Sequence, residues 1–150
     1  MSFAAVNNFC SRNPGITCGV AAQDSCYTIV RVDTDTVPVL PSVAATFVLT
    51  MSREPRRTIP CLEAAMDVGL TRTFYTVHNH GFKACDKGVA STMQDLIHAN
   101  NHIFAFARTH HPGRSIVILE DDCEWSDGAS QDLVHVDRFL CSTAGTGTCE

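Results

Sequence analysis

The run Ser115-Ile116-Val117-Ile118-Leu119 ends on three carboxylates, Glu120-Asp121-Asp122, and this junction constrains the fold more than any other stretch. A short apolar run rich in β-branched residues, preceded by the Pro112-Gly113 turn, reads as a parallel strand buried on both faces. Parallel strands are joined by crossover connections, so helices must lie before it and cover it. Ligands of open α/β sheets bind beyond the carboxyl ends of the strands, which is where Glu120, Asp121 and Asp122 fall.

The preceding residues supply such crossovers. Thr46-Phe47-Val48-Leu49-Thr50-Met51 reads as a strand, with Ser52-Arg53-Glu54-Pro55 as the loop that follows. Pro55 or Pro60 suits a first helical turn, where a missing N–H costs nothing. Cys61, Leu62, Ala65, Met66 and Val68 then make an apolar helical stripe, with Gly69 placed to end it in the left-handed conformation. Thr73-Phe74-Tyr75-Thr76-Val77 reads as a second strand, stopped by His78-Asn79-His80-Gly81. A long helix is expected over about 88–108, with Val89, Met93, Leu96, Ile97, Ile103, Phe104 and Phe106 facing a core and Asn100-Asn101 as a possible interruption. Strand, helix, strand, helix, strand predicts a Rossmann-like α/β unit with a mostly parallel sheet and right-handed crossovers.

The flanks read as less regular. Residues 1–42 are expected to form a loosely ordered N-terminal arm in which Tyr27-Thr28-Ile29-Val30-Arg31-Val32 is an edge strand. Residues 43–140 form the main domain. Leu133, Val134, Val136, Phe139 and Leu140 belong to a last amphipathic helix, and 141–150 to a flexible tail.

At 150 residues and 45% hydrophobic content the chain can bury one sizeable core. A formal charge of −5 with eleven scattered Lys and Arg offers no footprint for nucleic acid, which needs clustered cations. The first residues lack the basic n-region and long apolar stretch of a signal peptide, and no segment has the ~18 uninterrupted apolar residues of a membrane helix. A cytoplasmic protein without a transmembrane segment is therefore expected. Eight cysteines admit a disulfide framework, but for that compartment the reading is free thiols, with Cys61, Cys85 and Cys123 as small buried hydrophobes.

Mg²⁺ or Mn²⁺ is a hard, near-octahedral ion that usually takes one or two protein carboxylates and completes its shell with phosphate and water. Glu120 and Asp122, at alternating positions, are the candidate ligands, and neutralising a departing diphosphate is the chemistry such an ion offers. Rival features carry less. Asp33-Thr34-Asp35 precedes Val37-Pro38 and reads as a turn. His98 and His102 sit one helical turn apart, but a zincin helix would place Glu where Ala99 stands. His135 and Asp137, on alternate residues of a helix, point to different faces. A capping role for the three carboxylates at a helix start near Asp122 is the bland alternative.

In order, these landmarks resemble the lipooligosaccharide and procollagen galactosyltransferase-like family of glycosyltransferases, over roughly 46–140. The strand and Arg-rich segment Phe47-Val48-Leu49-Thr50-Met51-Ser52-Arg53-Glu54-Pro55-Arg56-Arg57 resembles the family's opening. Thr76-Val77-His78-Asn79 is similar to its Ala-Val-Asp-Gly-like turn without the Asp. Gly88-Val89-Ala90-Ser91-Thr92-Met93 resembles its Gly-Cys-x-x-Ser-His-like helix start, with Thr92 for Ser and Met93 for His. Ile116-Val117-Ile118-Leu119-Glu120-Asp121-Asp122-Cys123-Glu124-Trp125 looks very like its strand, Glu-Asp-Asp motif and following aromatic. The resemblance implies a GT-A-type fold and a transferase using a nucleotide-sugar donor, a UDP-sugar first, with a glycan or glycosylated acceptor. It implies Mn²⁺ or Mg²⁺ on Glu120 and Asp122, and donor contacts from Arg53, Arg57, Asp121 and Thr92. Only 28 residues follow Asp122, whereas family members continue through an acceptor-binding half. The second expectation is therefore a truncated or degenerate nucleotide-binding module without transferase activity.

Overall fold

The computed structural model describes residues 2–51 and 56–144. Along the chain run α1 (Ser2–Arg12), β1 (Thr17–Gln23), β2 (Tyr27–Asp33), β3 (Val43–Thr50), α2 (Thr58–Val68), β4 (Thr73–Asn79), α3 (Thr92–His110), β5 (Ser115–Glu120) and α4 (Ala129–Ala144). The five strands form one sheet in the order β1-β2-β4-β3-β5. β4, β3 and β5 are parallel, while β1 and β2 join antiparallel to one another and to β4. The class is α/β as expected. The sheet is mixed rather than mostly parallel, because the 1–42 segment that lacked a sustained apolar period supplies two of its strands.

That segment is not a loose arm. β2 lies between β1 and β4, and five of its seven residues from Tyr27 to Val32 are buried, so it is an interior strand and not an edge. The hairpin before it is closed by Asp24, whose Oδ1 accepts from the backbone N–H of Cys26 and of Tyr27, each at 2.7 Å. α1 seats Val6 against the core, and the Cys10–Cys18 disulfide ties it to β1. Short polar helices are marginal alone and gain their stability from docking, which is why no propensity signal announced this one.

Helices cover both faces. On one face α1, α2 and α4 pack over Val30, Val32, Val48, Phe74, Val117 and Leu119. On the other, α3 alone packs over Ile29, Phe47, Leu49, Tyr75 and Val77, with Ala99, Ile103 and Phe106 pointing down. α2 ends as expected at Gly69, whose φ of 72° lets its N–H reach the carbonyls of Ala65 and Met66.

Several expectations are corrected here. β5 is the last strand of the sheet, and its residues are half-buried or exposed, not buried on both faces. α3 is unbroken through Asn100-Asn101, but Met93, Ile97 and Phe104 are exposed, since its sheet-facing stripe falls on 95, 99, 103, 106 and 107. In α4, Leu133 and Leu140 pack on the core while Val134, Val136 and Phe139 face outward. Of the 141–150 tail, 141–144 complete α4 and the rest lies outside the described residues. Cys85 is bonded to Cys26, and Cys141 is also disulfide-bonded, so the free-thiol reading holds only for Cys61 and Cys123. No helix among the described residues is long and apolar enough to cross a membrane.

Candidate functional site at the carboxyl ends of the parallel strands

The crossover through α2 carries the chain from β3 to β4 on one side, and the crossover through α3 carries it back past β3 to β5 on the other. The two connections part between β3 and β5, and switch points of this kind are where open α/β sheets take ligands, in a crevice at the strand ends. Glu120 closes β5 there, opposite Leu49 in the parallel register, and the N–H of Asp121 donates to the Leu49 carbonyl at 3.1 Å. Glu120 and Asp122 are exposed, with Asp121 half-buried between them.

Alternation decides which way these groups face. Val117 and Leu119 pack toward α2, and Ile116 and Ile118 toward α3. Asp121 and Asp122 both lie close enough to Cys61, in α2, to push its thiol upward, while Arg57 acts on Asp121. Burial raises the Asp121 carboxyl above the usual carboxylate range and the Asp122 charge adds to this; Arg57 and a hydrogen bond from Thr50 pull it part-way back. Burial, together with the neighbouring Cys123 thiol and the two carboxylates, pushes Cys61 up to about 12. The two thiols stand 3.2 Å apart.

Three buried side-chain atoms have no hydrogen-bond partner among the described residues: Asp121 Oδ2, Trp125 Nε1 and His78 Nδ1. All three belong to the α2 side of the sheet. Trp125 packs on that core, and His78 pairs in register with Thr50, whose hydroxyl meets that of Thr58 in the first turn of α2. Burial holds the His78 imidazole down to about 4, helped by neighbouring His80, so it is neutral at physiological pH. At the N-terminus of α2, Arg57 in the cap position makes no side-chain capping bond. An uncapped helix end presents N–H donors to an anion.

The α3 side of the same strand ends is finished. The Lys87 ammonium, fully buried, lies 2.7 Å from Asp95 and also bonds Asn79. Asn79 and the N–H of Phe82 donate to the other Asp95 oxygen, each at 3.2 Å. The Tyr27 hydroxyl meets His98 at 2.6 Å, and the Tyr27 ring lies under Lys87 and against His102. Lys87, Asp95 and Asn79 were not singled out from sequence. An i, i+8 Lys–Asp spacing across a loop carries no signal unless the Cys26–Cys85 bond and the N-cap of α3 are known to fold that loop back. A cavity of about 410 Å³ opens beside this cluster, lined by Met51, His80, Gly81, Phe82, Lys83, Thr92 and Asp95.

No family model, curated protein or solved structure matches the chain.

The expected site residues therefore divide. Asp121, Asp122 and Arg57 come together beside α2 at the ends of β3 and β5, whereas Glu120, paired in register with Leu49, faces the α3 side. Thr92, the first residue of α3, is exposed and lines the cavity on the other face, where Met51 connects it to the end of β3. Arg53 lies outside the described residues. The rivals are absorbed by structure. Asp33 accepts from Arg31 and Thr73 at the opposite end of the sheet, and Asp137 is buried against the backbone N–H and hydroxyl of Ser42. His98 and His102 are occupied by Tyr27.

An all-oxygen set of carboxylates with one unmet buried oxygen suits a hard divalent cation. Among the described residues no three His, Cys, Asp or Glu groups converge on a ready-made cage. A divalent cation here would take one or two of these carboxylates and would need its remaining ligands from outside the described residues.

Proposed function

We propose that this chain is a metal-dependent glycosyltransferase of GT-A type that takes a nucleotide-sugar donor, a UDP-sugar first, in the crevice between β3 and β5. One observation carries the reading. Asp121, between Glu120 and Asp122 in the turn after β5, keeps a buried carboxylate oxygen without a partner among the described residues, on the α2 side of the strand ends. Buried polar groups are almost always satisfied, so a buried carboxylate oxygen left unmet beside two exposed carboxylates supports a ligand there.

In this reading the first turn of α2 and Arg57 receive diphosphate oxygens, the latter through its planar donors, and the family resemblance adds Arg53 as a second such donor. Glu120 and Asp122 hold Mn²⁺ or Mg²⁺, and Asp121 orients the turn from its bond to β3. The chemistry a bound cation supplies is neutralisation of charge on the departing nucleoside diphosphate. Thr92 faces the donor's other end from the α3 side. The acceptor is a glycan or glycosylated molecule. The disulfides weigh toward an oxidising compartment and away from the cytoplasm expected above, since reducing compartments keep thiols free.

A nucleotide-binding module without transfer is the second reading. It is favoured by β5 being the sheet's last strand, so that no further strand among the described residues flanks the acidic turn to carry an acceptor.

Calorimetric titration of UDP with and without Mn²⁺, on the wild type and Asp122→Asn, tests the site. Metal-dependent binding in the wild type, lost in the variant at unchanged thermal stability, is expected. UDP binding that ignores Mn²⁺, or no binding, sinks the proposal. Release of UDP from UDP-sugars with sugar acceptors then separates transferase from module.

A further inference from the structure

Cys61 and Cys123 are 62 residues apart in sequence, yet their Sγ atoms stand 3.2 Å apart. They are the free cysteines among the described residues, in a chain whose other described cysteines are disulfide-bonded. Cys61 belongs to α2 and is 4% exposed, and its thiol also points at the Glu120 carbonyl, 3.6 Å away. Cys123 follows Asp122 in the turn after β5 and is half-buried, with its N–H bonded to that same carbonyl. The separation exceeds a disulfide bond of ~2.05 Å by only about 1.1 Å, a shift that side-chain rotation can supply.

The geometry points to a redox modification site: Cys61 and Cys123 are a dithiol that closes to a disulfide and staples the acidic turn to α2. Cys123, the more accessible thiol, loses its proton and attacks a low-molecular-weight disulfide such as oxidised glutathione, releasing one glutathione thiol. Cys61 then loses its proton and attacks the Cys123 sulfur of the mixed disulfide, releasing the second. Two protein thiols give up two electrons and two protons, and one glutathione disulfide takes them up as two thiols. The staple joins the two walls of the β3/β5 crevice, α2 on one side and the 120–123 turn on the other, and so sets how far they can part. The inference stands whether or not a nucleotide sugar binds there.

The test holds the full chain in equimolar reduced and oxidised glutathione, alkylates remaining thiols, and maps linkages by mass spectrometry without reduction. Amide exchange of 121–124 is measured in parallel. A Cys61–Cys123 linked peptide is expected, with exchange in the turn slowed on the order of 10-fold against the selectively reduced protein. Cys123→Ser should lose both effects and keep Cys10–Cys18 and Cys26–Cys85. Alkylation of both thiols in that buffer, or a glutathione adduct on Cys123 that Cys61 never displaces, overturns the pair. A linked peptide with unchanged exchange overturns the staple. Should Cys123→Ser fold poorly, Cys123→Ala carries the same comparison.

Discussion

The two faces of the sheet are finished differently at the carboxyl ends of the strands. Under α3, Lys87, Asp95, Asn79, Tyr27 and His98 form a closed set of bonds, and Ser91 caps the helix by accepting from the N–H of Gln94. Beside α2, Arg57 makes no capping bond, and Asp121, Trp125 and His78 each hold a buried atom without a partner among the described residues. The difference teaches that a carboxylate whose lone pairs are all taken is part of the scaffold, whereas one left partly unmet has bonding capacity that the described residues do not use.

The largest effect should come from breaking the closed face. Lys87→Met leaves Asp95 buried and uncompensated, and is expected to cost about 4 kcal/mol in chemical denaturation. Asp95→Asn added to it should restore part of the loss, since no buried charge then remains. A cost under about 1 kcal/mol would mean that the cluster is not the closed scaffold described.

Next is the pH response of the open face. His78 titrates near 4 when folded and near 6.5 when unfolded, so the unfolded chain binds the extra proton between those values. Its contribution is whole above pH 6.5 and is lost as pH falls toward 4, by about 3 kcal/mol in total. Burial lowers His102 and His111 as well, which adds slope of the same sign. Denaturation of the wild type and His78→Gln between pH 4 and 7 isolates its share, and parallel curves would show that His78 is not held neutral.

The smallest effect sharpens the contrast. Asp121 has a raised folded pKa, so its ionised form opposes folding at neutral pH, and the penalty is relieved as pH falls through that value. Asp121→Asn should therefore be neutral or slightly stabilising at pH 7, within about 0.5 kcal/mol, and its advantage should vanish in acid. A large loss on thermal denaturation would assign Asp121 to the scaffold with Asp95.

How much of this was readable in advance differs along the chain. β3, α2, β4, α3 and β5 announced themselves because period-2 and period-3.6 apolar patterns and the Gly69 stop are local properties of a few residues each. The position of Glu120, Asp121 and Asp122 at a strand end followed from the same local reading. β5 was misjudged as doubly covered because an apolar run states what a strand would bury, and not how many neighbours the topology gives it. α1 and β1 escaped, and β2 was legible as a strand but not as an interior one, because docking, a hairpin and a disulfide are not written in periodicity.

By itself the sequence determined the α/β alternation and the delivery of three carboxylates to the end of an apolar strand, since both depend only on near neighbours. Tertiary structure alone decided that Lys87 satisfies Asp95, that Cys61 meets Cys123 across 62 positions, and that His78 and Asp121 share the α2 face. Those pairings depend on which strands lie side by side and which way each residue faces, and a one-dimensional pattern records neither.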